Sequence, residues 1–242
     1  MPAIVPEIMP FLEAIKFWQS KVPLSRSIYL QLNAEAKQKA FSMAGINKLD
    51  ELNTVYQALG DATKNGIQFV DFCDSIRNVI EDHGWTGPKL WRVWNTYRTG
   101  LQVNYNAGRY SQMLEETADR PYWMYSAIND DRTRPAHLAL DGKVARYDDP
   151  FWDHFYPPNG FMCRCQVISL SLEEVQDMGL KVQTGEELYN RPYESKDRGI
   201  VVQALLPDEG WDLNPAKIGW DPDMSKYPQA LQDAFAKYMQ GV

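Results

Sequence analysis

The chain has 242 residues, 24% charged residues, 44% hydrophobic residues and a formal net charge of -7 at pH 7. These proportions are those of an ordinary globular protein, and the length is enough to bury a core of normal size. The negative charge disfavours a broad contact with a nucleic-acid backbone, although it allows a local basic patch. DNA binding is therefore not the first expectation.

The first residues, MPAIVPEIMPFLEAIKFW, contain three prolines and two glutamates among their apolar residues. They lack the basic segment and small-residue cleavage site of an export signal. No run approaches the roughly 18 apolar residues that a membrane crossing needs. We expect a protein of a reducing, cytosol-like compartment, without membrane contact and with few structural disulfides.

Residues 11–125 show helical periodicity. The first predicted helix places Phe11, Leu12, Ile15 and Trp18 on one face and stops before Pro23. A second helix is predicted between Gly66 and Gly84, with an apolar face made of Phe69, Phe72, Cys73, Ile76 and Ile80. We expect the Cys73 thiol to pack as a small hydrophobe and His83, near the helix end, to be structural.

A third helix is predicted to start at Thr86-Gly87-Pro88, because proline is favoured in the first turn. Its apolar face consists of Leu90, Val93, Trp94, Tyr97 and Leu101. Gly100 lies inside this stretch and predicts a kink or an end, since glycine weakens a helix interior by about 1 kcal/mol relative to alanine.

After Arg120-Pro121 the helical periodicity fades, and short strands are predicted at 143–147 and 163–170. Ser171 and Glu174 form a capping-box pattern, and Gly179 is a typical helix stop. Residues 191–228 are rich in Pro, Gly and Asp and predict an extended arm. The last helix is predicted to carry its apolar face on Leu231, Ala234, Phe235 and Tyr238.

The predicted fold class is α+β. A mainly helical N-terminal region (1–120) precedes a small mixed α/β module with short strands (121–180). An extended C-terminal arm that ends in a helix (181–242) follows the module.

The segment from Asp130 to Val167 holds two of the three histidines and two of the three cysteines. In a strand, Cys163 and Cys165 share a face with Cα atoms about 6.6 Å apart, at about 3.3 Å per residue. Parallel thiols at that spacing suit a common metal ion better than a disulfide. His137 and His154 complete a Cys2His2 set, which zinc prefers, and the turn at 156–160 would fold His154 back toward the cysteines.

A second interpretation requires no metal: the cysteines are small hydrophobes of a strand and the histidines hydrogen-bond locally. The residues Asp130, Asp131, Arg132 and Arg134 form either a salt-bridged loop or a polar pocket. The residues Asp148, Asp149 and Asp153 are either carboxylates near the metal or ordinary turn residues. Both alternatives stay open on the sequence.

Three motifs, YWMYSAINDDRTRPAHLALDGKV, DDPFW and PPNGFMCRCQV, resemble the head morphogenesis domain of tailed bacteriophages, the family of the Mu protein F and SPP1-type minor head proteins. The segments FLEAIKFWQSKV, KAFSMAGI and NTYRTGLQVNYNAGRY look like the helical half of the Mu-type members. DEGWDLNPA is similar to the Mu-type ending. Together these motifs cover most of residues 8–170 and part of the tail.

The resemblance implies a minor capsid protein that acts structurally in procapsid or head assembly and has no catalytic residues. The implied partners are the portal protein and the major capsid or scaffolding protein. The implied locations are the virion, in the capsid interior or portal region, and the host cytoplasm during assembly.

The family's recurring His and C-x-C fall on His137, Cys163 and Cys165. His154 is less securely part of the pattern, so Asp149 or Asp153 is an alternative fourth ligand. Five aromatic residues are expected either to pack around the site as core or to form a docking face: Trp123, Tyr125, Phe151, Trp152 and Phe161.

The rival interpretation is a zinc-dependent hydrolase or nuclease. His137, Cys163 and Cys165 would hold zinc with an open fourth position, and Asp131 or Asp153 would activate water. Against it, the sequence has no H-E-x-x-H motif, no nucleophile elbow and no phosphate-binding glycine loop. A third interpretation is nonspecific contact with packaged DNA through a local basic patch made of Arg132, Arg134, Lys143 and Arg146.

Overall fold

The computed structural model describes residues 11–32, 34–186, 193–195, 199–201, 207–208 and 210–217, together with 225, 229, 232, 233 and 236. The chain forms two compact units. The first unit comprises residues 1–32, 39–108 and 223–242, and the second comprises residues 33–38 and 109–222. Within the described residues, none of the helices combines the length and apolar content that a membrane crossing needs.

The N-terminal half is helical, as predicted. Its helices are α1 (Leu12–Gln19), α2 (Arg26–Tyr29), α3 (Ala34–Lys39), α4 (Leu49–Asn65), α5 (Phe69–Ser75), α6 (Arg77–Asp82) and α7 (Trp91–Glu115), the last preceded by a 3-10 turn at Gly87–Leu90. Two-residue strands β1 (Val22–Pro23) and β2 (Ala40–Phe41) pair in parallel.

The core of the first unit forms around one face of α4. Leu52, Val55 and Leu59 recur at helical spacing and are buried, and Trp18 of α1 stacks on Tyr56 with ring centroids 4.7 Å apart. The apolar faces predicted for the second and third helices are confirmed in part, since five of their ten residues are buried: Phe72, Ile76, Ile80, Val93 and Tyr97. The prediction for Trp94 is wrong, because it is exposed. The face predicted for α1 is partly wrong, because Leu12 is exposed and Ala14 is buried instead.

The helix predicted between Gly66 and Gly84 is two helices, α5 and α6, that meet at Ile76. The Ser75 hydroxyl donates to the Phe72 carbonyl at 2.7 Å, a side-chain bond that competes with helix continuation. Cys73 packs half-buried against the core, as expected. His83 follows the end of α6, and its Nε2 lies 2.7 Å from Oε2 of Glu51, which agrees with a structural role.

Gly100 does not end α7, which continues to Glu115. A Cβ atom at Gly100 would lie 3.4 Å from a methyl group of Leu59. The glycine therefore lies where two helices pack closely, and the predicted helix end there is wrong.

The second unit contains a three-stranded antiparallel sheet in the order β4-β3-β5, with β3 (Tyr122–Ser126), β4 (Val144–Arg146) and β5 (Gln166–Leu170). Trp123 of β3 lies opposite Ala145 on one side and Ser169 on the other. The remaining elements are the short helices α8 (Pro135–Leu138), α9 (Phe151–Phe155) and α10 (Leu172–Asp177), and the hairpin of β6 (Tyr193–Ser195) and β7 (Gly199–Val201). The fold class is α+β, as predicted.

The strand predicted from Cys163 begins at Gln166, so the two cysteines precede β5. The partner strand β3 ends opposite Gln166, which leaves the C-x-C segment without a ladder to join. The predicted capping box is confirmed: the Glu174 amide donates to Ser171 Oγ at 3.1 Å, and the Ser171 amide donates to Glu174 Oε2 at 2.8 Å. Gly179 adopts φ +61° after α10, as a stop requires.

Part of the predicted arm packs against α9. The amide of Asn214 donates to the Asp153 carbonyl at 2.8 Å, and the Asn214 side chain donates to the Trp152 carbonyl at 3.1 Å. The four residues predicted for the last helix, Leu231, Ala234, Phe235 and Tyr238, lie outside the described residues.

Candidate metal centre

His137, Cys163 and Cys165 converge in the second unit. The Nδ1 atom of His137 lies 3.6 Å from the Sγ atom of each cysteine, and the three ligand atoms all lie within 4.8 Å of one another. The three side chains are only 6%, 5% and 2% exposed. Among the described residues, this is the one group of three or more candidate metal ligands with that proximity.

The spacing of these donors agrees with a tetrahedral zinc site. With Zn–N of about 2.05 Å and Zn–S of about 2.3 Å, a tetrahedral angle separates the nitrogen and sulfur atoms by about 3.6 Å. The observed N–S distances are both 3.6 Å. A weak thiol–imidazole hydrogen bond also accommodates such a distance, so the geometry permits a metal without requiring one.

A tight turn delivers the first cysteine. The Cys163 amide donates to the Gly160 carbonyl at 3.2 Å, and the intervening Met162 has φ +60°, a left-handed conformation that costs a non-glycine residue about 1 kcal/mol or more. A Cβ atom at Gly160 would overlap the Asp208 carboxylate and lie 3.0 Å from Nη1 of Arg134, so the Arg134–Asp208 ion pair would have to move to admit a larger residue.

Arg164 holds the C-x-C segment from its other side. Its guanidinium donates to Asp130 through Nη1 at 2.7 Å and Nη2 at 2.5 Å, a bidentate arrangement that fixes orientation. This pairing lowers the pKa of Asp130 far below its ordinary value. The predicted salt-bridged loop is therefore present. The main ion-pair partner of Asp130 is Arg164, which the sequence pattern did not single out.

Two buried polar residues surround the sulfurs. The Tyr125 hydroxyl donates to Asn159 Oδ1 at 2.8 Å and also hydrogen-bonds with the Cys165 thiol. The backbone amide of Asn159 is directed to the Cys163 sulfur. Asn159 was predicted only as a turn residue, but it is 2% exposed and contacts both Tyr125 and the Cys163 sulfur.

The two thiols differ in acidity. A hydrogen bond from Cys165, together with His137 and the Asn159 amide, lowers the pKa of the Cys163 thiol despite its burial. The neighbouring Cys163 sulfur and burial raise the pKa of Cys165. A metal ion that takes both sulfurs as thiolates must therefore displace a proton from Cys165.

His154 does not join this group. It is exposed, and its Nδ1 lies 2.8 Å from the backbone carbonyl of Asp212, so it contacts the arm instead. The alternative ligands are also engaged elsewhere: Asp149 accepts the amides of Phe151 and Gly185 at 2.8 and 3.0 Å, and Asp153 pairs with Lys217. The described residues thus supply three ligands and no protein group at the fourth position.

The other candidate residues take ordinary roles. Asp131 is exposed. In the predicted basic patch, Arg132 pairs with Asp130, Arg134 with Asp208 and Arg146 with Asp148, at 3.3, 3.2 and 2.8 Å. Carboxylates therefore offset most of its charge. Four of the five aromatic residues form core, since Trp123, Tyr125, Phe151 and Trp152 are buried.

Phe161 is the exception among the aromatic residues. It is 55% exposed, and its ring packs edge-on against Trp211 with centroids 5.1 Å apart.

Comparison with known proteins agrees with the motifs. The profile of the family described as "Phage Mu protein F like protein" matches residues 53–168, a range that includes all three converging residues. A protein of Escherichia phage Mu whose name assigns it to capsid assembly, protein F, is 30% identical over 251 residues, which cover 90% of this chain and 56% of that protein.

The Mu-like prophage FluMu F protein of Haemophilus influenzae is 37% identical over 209 residues, which cover 79% of this chain and 50% of that protein. The chain thus spans about half the length of these relatives. No solved structure matches it. Through residues 53–168, the chain belongs to the family of phage Mu protein F-like proteins.

Proposed function

We propose that the chain is a structural minor capsid protein of a tailed bacteriophage or prophage, acting in head assembly through contacts with the portal and the inner capsid. The observation that carries this proposal is the similarity of 90% of the chain to a phage Mu protein named for capsid assembly. The major capsid or scaffolding protein is the further partner that such a role requires. The place of action is the assembling head and then the virion.

We further propose that one zinc ion, held by His137, Cys163 and Cys165, staples the second unit. The three ligands come from α8, from the turn at 160–163 and from the segment before β5, which are otherwise joined by loops. A metal ion that links such segments contributes folding free energy directly. The buried position of all three side chains supports a structural rather than an exchangeable ion.

An enzymatic alternative is favoured by one observation. Three protein ligands and a vacant fourth position are typical of catalytic zinc sites, whereas structural sites usually have four protein ligands. Burial opposes it, because a substrate has to reach the metal. Two surface clefts of the described residues are lined by other side chains.

The assembly role is tested in a prophage that lacks the corresponding gene and is supplied with the chain, or with its full-length parent protein, from a plasmid. DNA-filled heads are counted by electron microscopy after induction. We expect His137→Ala and the Cys163→Ser/Cys165→Ser variant to lower the yield of filled heads. The matched variants His154→Ala and Cys73→Ser should retain it.

Normal heads in the absence of any supplied chain would contradict the assembly role. Normal heads with the double cysteine variant would contradict the staple while leaving the assembly role intact. Metal-dependent hydrolysis of DNA or peptide substrates by the purified protein, lost in His137→Ala, would replace the structural role of the site with the enzymatic one.

A further inference from the structure

The 3-10 turn at Gly87–Leu90 and the first half of α7 present a cationic aromatic face, defined here as Lys89, Trp91, Arg92, Trp94 and Arg98. Trp91, Trp94 and Arg98 are spaced i, i+3 and i+7, so they lie on the same side of the helix. Trp91 is 62% exposed and Trp94 is 37% exposed. Residues 83–114 contain no Asp or Glu, although the whole chain carries a net charge of -7.

The cations of this face have no carboxylate partner within the part of the chain that the structure describes. Instead, the Arg98 guanidinium lies over the Trp94 ring at 5.7 Å, and that of Arg92 lies over Trp85 and Trp91 at 5.9 Å. Exposed tryptophan beside arginine is the composition of protein–protein hot spots.

An acidic cleft of about 240 Å³ lies in the same unit. Its lining includes four carboxylates, Asp50, Glu51, Asp74 and Asp82, against one arginine, Arg77. Arg77 pairs with Asp74 at 2.5 Å. Lys48 pairs with Glu51 at 2.8 Å and attracts Asp82 at longer range, whereas neither Asp50 nor Asp82, both exposed, forms an ion pair among the described residues.

The cleft and the face are neighbours. Glu51 contacts His83 at 2.7 Å, the His83 ring stacks on Trp85 at 4.7 Å, and the Arg92 guanidinium lies over the same Trp85 ring. One short series of contacts thus connects the carboxylates of the cleft to the cations of the face.

We propose that the occupant of this surface is a second copy of the chain, with the cationic aromatic face of one copy on the acidic cleft of the other. Unpaired cations and unpaired carboxylates on adjacent surfaces of one molecule are complementary to a second copy, and each copy satisfies the charges of the other. The exposed tryptophans supply the apolar contact that makes such an interface stable.

A nucleic acid is the less favoured occupant. Basic and aromatic residues also bind single strands, but the carboxylates of the adjoining cleft would repel a phosphate backbone. The same carboxylates favour a protein copy. This proposal goes beyond the proposed function, since it involves none of the three candidate metal ligands.

The experiment is sedimentation velocity of the chain over a range of concentrations. We expect self-association in about 50 mM salt and its loss near 500 mM, because exposed charge pairs are screened. Lys89→Glu/Arg98→Glu and Asp50→Lys/Asp82→Lys should each raise the dissociation constant about tenfold or more, as should Trp91→Ala. Arg92 is left in place because it packs on the buried Trp85.

Mixing the two charge-reversal variants should restore association, since the reversed faces complement each other. Lys16→Glu/Lys64→Glu changes the net charge by the same amount as Lys89→Glu/Arg98→Glu, but at exposed sites of α1 and α4. It should leave association unchanged. A chain that is monomeric at all concentrations in low salt overturns the proposal. So does failure of the mixture to associate, or binding of a DNA oligonucleotide that the Lys89→Glu/Arg98→Glu variant abolishes while self-association persists.

Discussion

At the scale of single residues, His137, Cys163 and Cys165 were singled out by residue type and converge, although the strand predicted to align the two thiols begins only at Gln166. The residues that orient them were not predictable. Asn159 and Arg164 act through hydrogen bonds to Tyr125 and Asp130, 34 positions away in each case. No local pattern encodes such partners, because they depend on how distant segments pack.

The exclusion of His154 from this group had a signal in the sequence. Phe151, Trp152 and Phe155 are spaced i, i+1 and i+4 and are buried together on α9. His154 lies at the flank of that buried face, where it is exposed and turned toward the arm. Helical spacing within DDPFWDHF sets His154 off the centre of the buried face. The turn at 156–160 had instead suggested that His154 folds back toward the cysteines.

The Tyr125 hydroxyl provides the first test at this scale. Tyr125→Phe leaves the buried Asn159 Oδ1 and the Cys165 thiol each without one hydrogen-bond partner, so we expect a loss of about 1–3 kcal/mol in the free energy of unfolding. Urea denaturation followed by fluorescence measures it. Tyr147→Phe is the control, because Tyr147 is half-buried and its hydroxyl makes no hydrogen bond with the described residues. Equal effects of the two substitutions would show that the hydrogen bonds of the Tyr125 hydroxyl contribute nothing to the free energy of unfolding.

At the scale of elements, the helical character of the N-terminal half and the cap of α10 followed from the sequence, whereas the break at Ile76 and the start of β5 did not. Gly100 and Gly108 both lie within α7, and propensity alone treats them alike. Their surroundings differ. A Cβ atom at Gly100 meets Leu59 methyl groups at 3.4 Å, whereas at Gly108 it meets the backbone nitrogen of Ala14 at 2.6 Å.

This difference predicts opposite effects of one substitution. Gly100→Ala should be neutral or stabilise by up to about 1 kcal/mol, because alanine favours the helix and the space is sufficient. Gly108→Ala should destabilise by about 1–3 kcal/mol, because the α1 backbone has to move. Thermal unfolding of the two variants in parallel provides the measurement, and destabilisation of the same size in both would contradict the packing described for α1 and α7.

The capping box of α10 predicts a dependence on pH. The Ser171 amide, and then Arg120, lower the pKa of Glu174 below its ordinary value of 4.5. A carboxylate whose pKa is lower in the folded state stabilises above the unfolded pKa, and this contribution is lost as the pH falls through the folded pKa. Glu174→Gln should therefore destabilise at neutral pH, and the difference from the parent chain should shrink below a pH of about 4.5.

Two further variants accompany this prediction. Ser171→Ala should cost about 1 kcal/mol at neutral pH, since it removes the N-cap acceptor. Glu173→Gln is the control, because Glu173 precedes Glu174 on the same helix and takes no part in the box. Urea midpoints of all three variants across the acidic range supply the data, and a pH-independent effect of Glu174→Gln would argue against the ionised cap.

At the scale of the whole molecule, the α+β class and the succession from helices to short strands were predicted correctly. The domain limits at 120 and 180 remain predictions. Residues 33–38 belong to the second unit, although the chain on both sides of them, 1–32 and 39–108, belongs to the first. Composition along the chain carries no signal for such a division, because the division depends on tertiary contacts.

A zinc staple predicts that metal removal affects one part of the chain. Strong chelation at neutral pH should open residues 121–180 to proteolysis and leave the helices α4, α5 and α6 protected, because the metal ligands all lie in the second unit. Mass spectrometry of the early cleavage products and far-UV circular dichroism report the change. The Cys163→Ser variant should show the same cleavage without chelator, and an unchanged digest in both cases would mean that the module needs no metal.

The most direct measurement is the zinc content of the protein, purified without chelator, by elemental analysis beside its Cys163→Ser, Cys165→Ser, His154→Ala and Cys73→Ser variants. The proposed staple predicts one equivalent of zinc in the parent chain, in His154→Ala and in Cys73→Ser, and loss of the metal in the other two variants. A parent chain without metal, or zinc that persists in the Cys163→Ser and Cys165→Ser variants, would contradict the metal centre and leave the three residues as core packing.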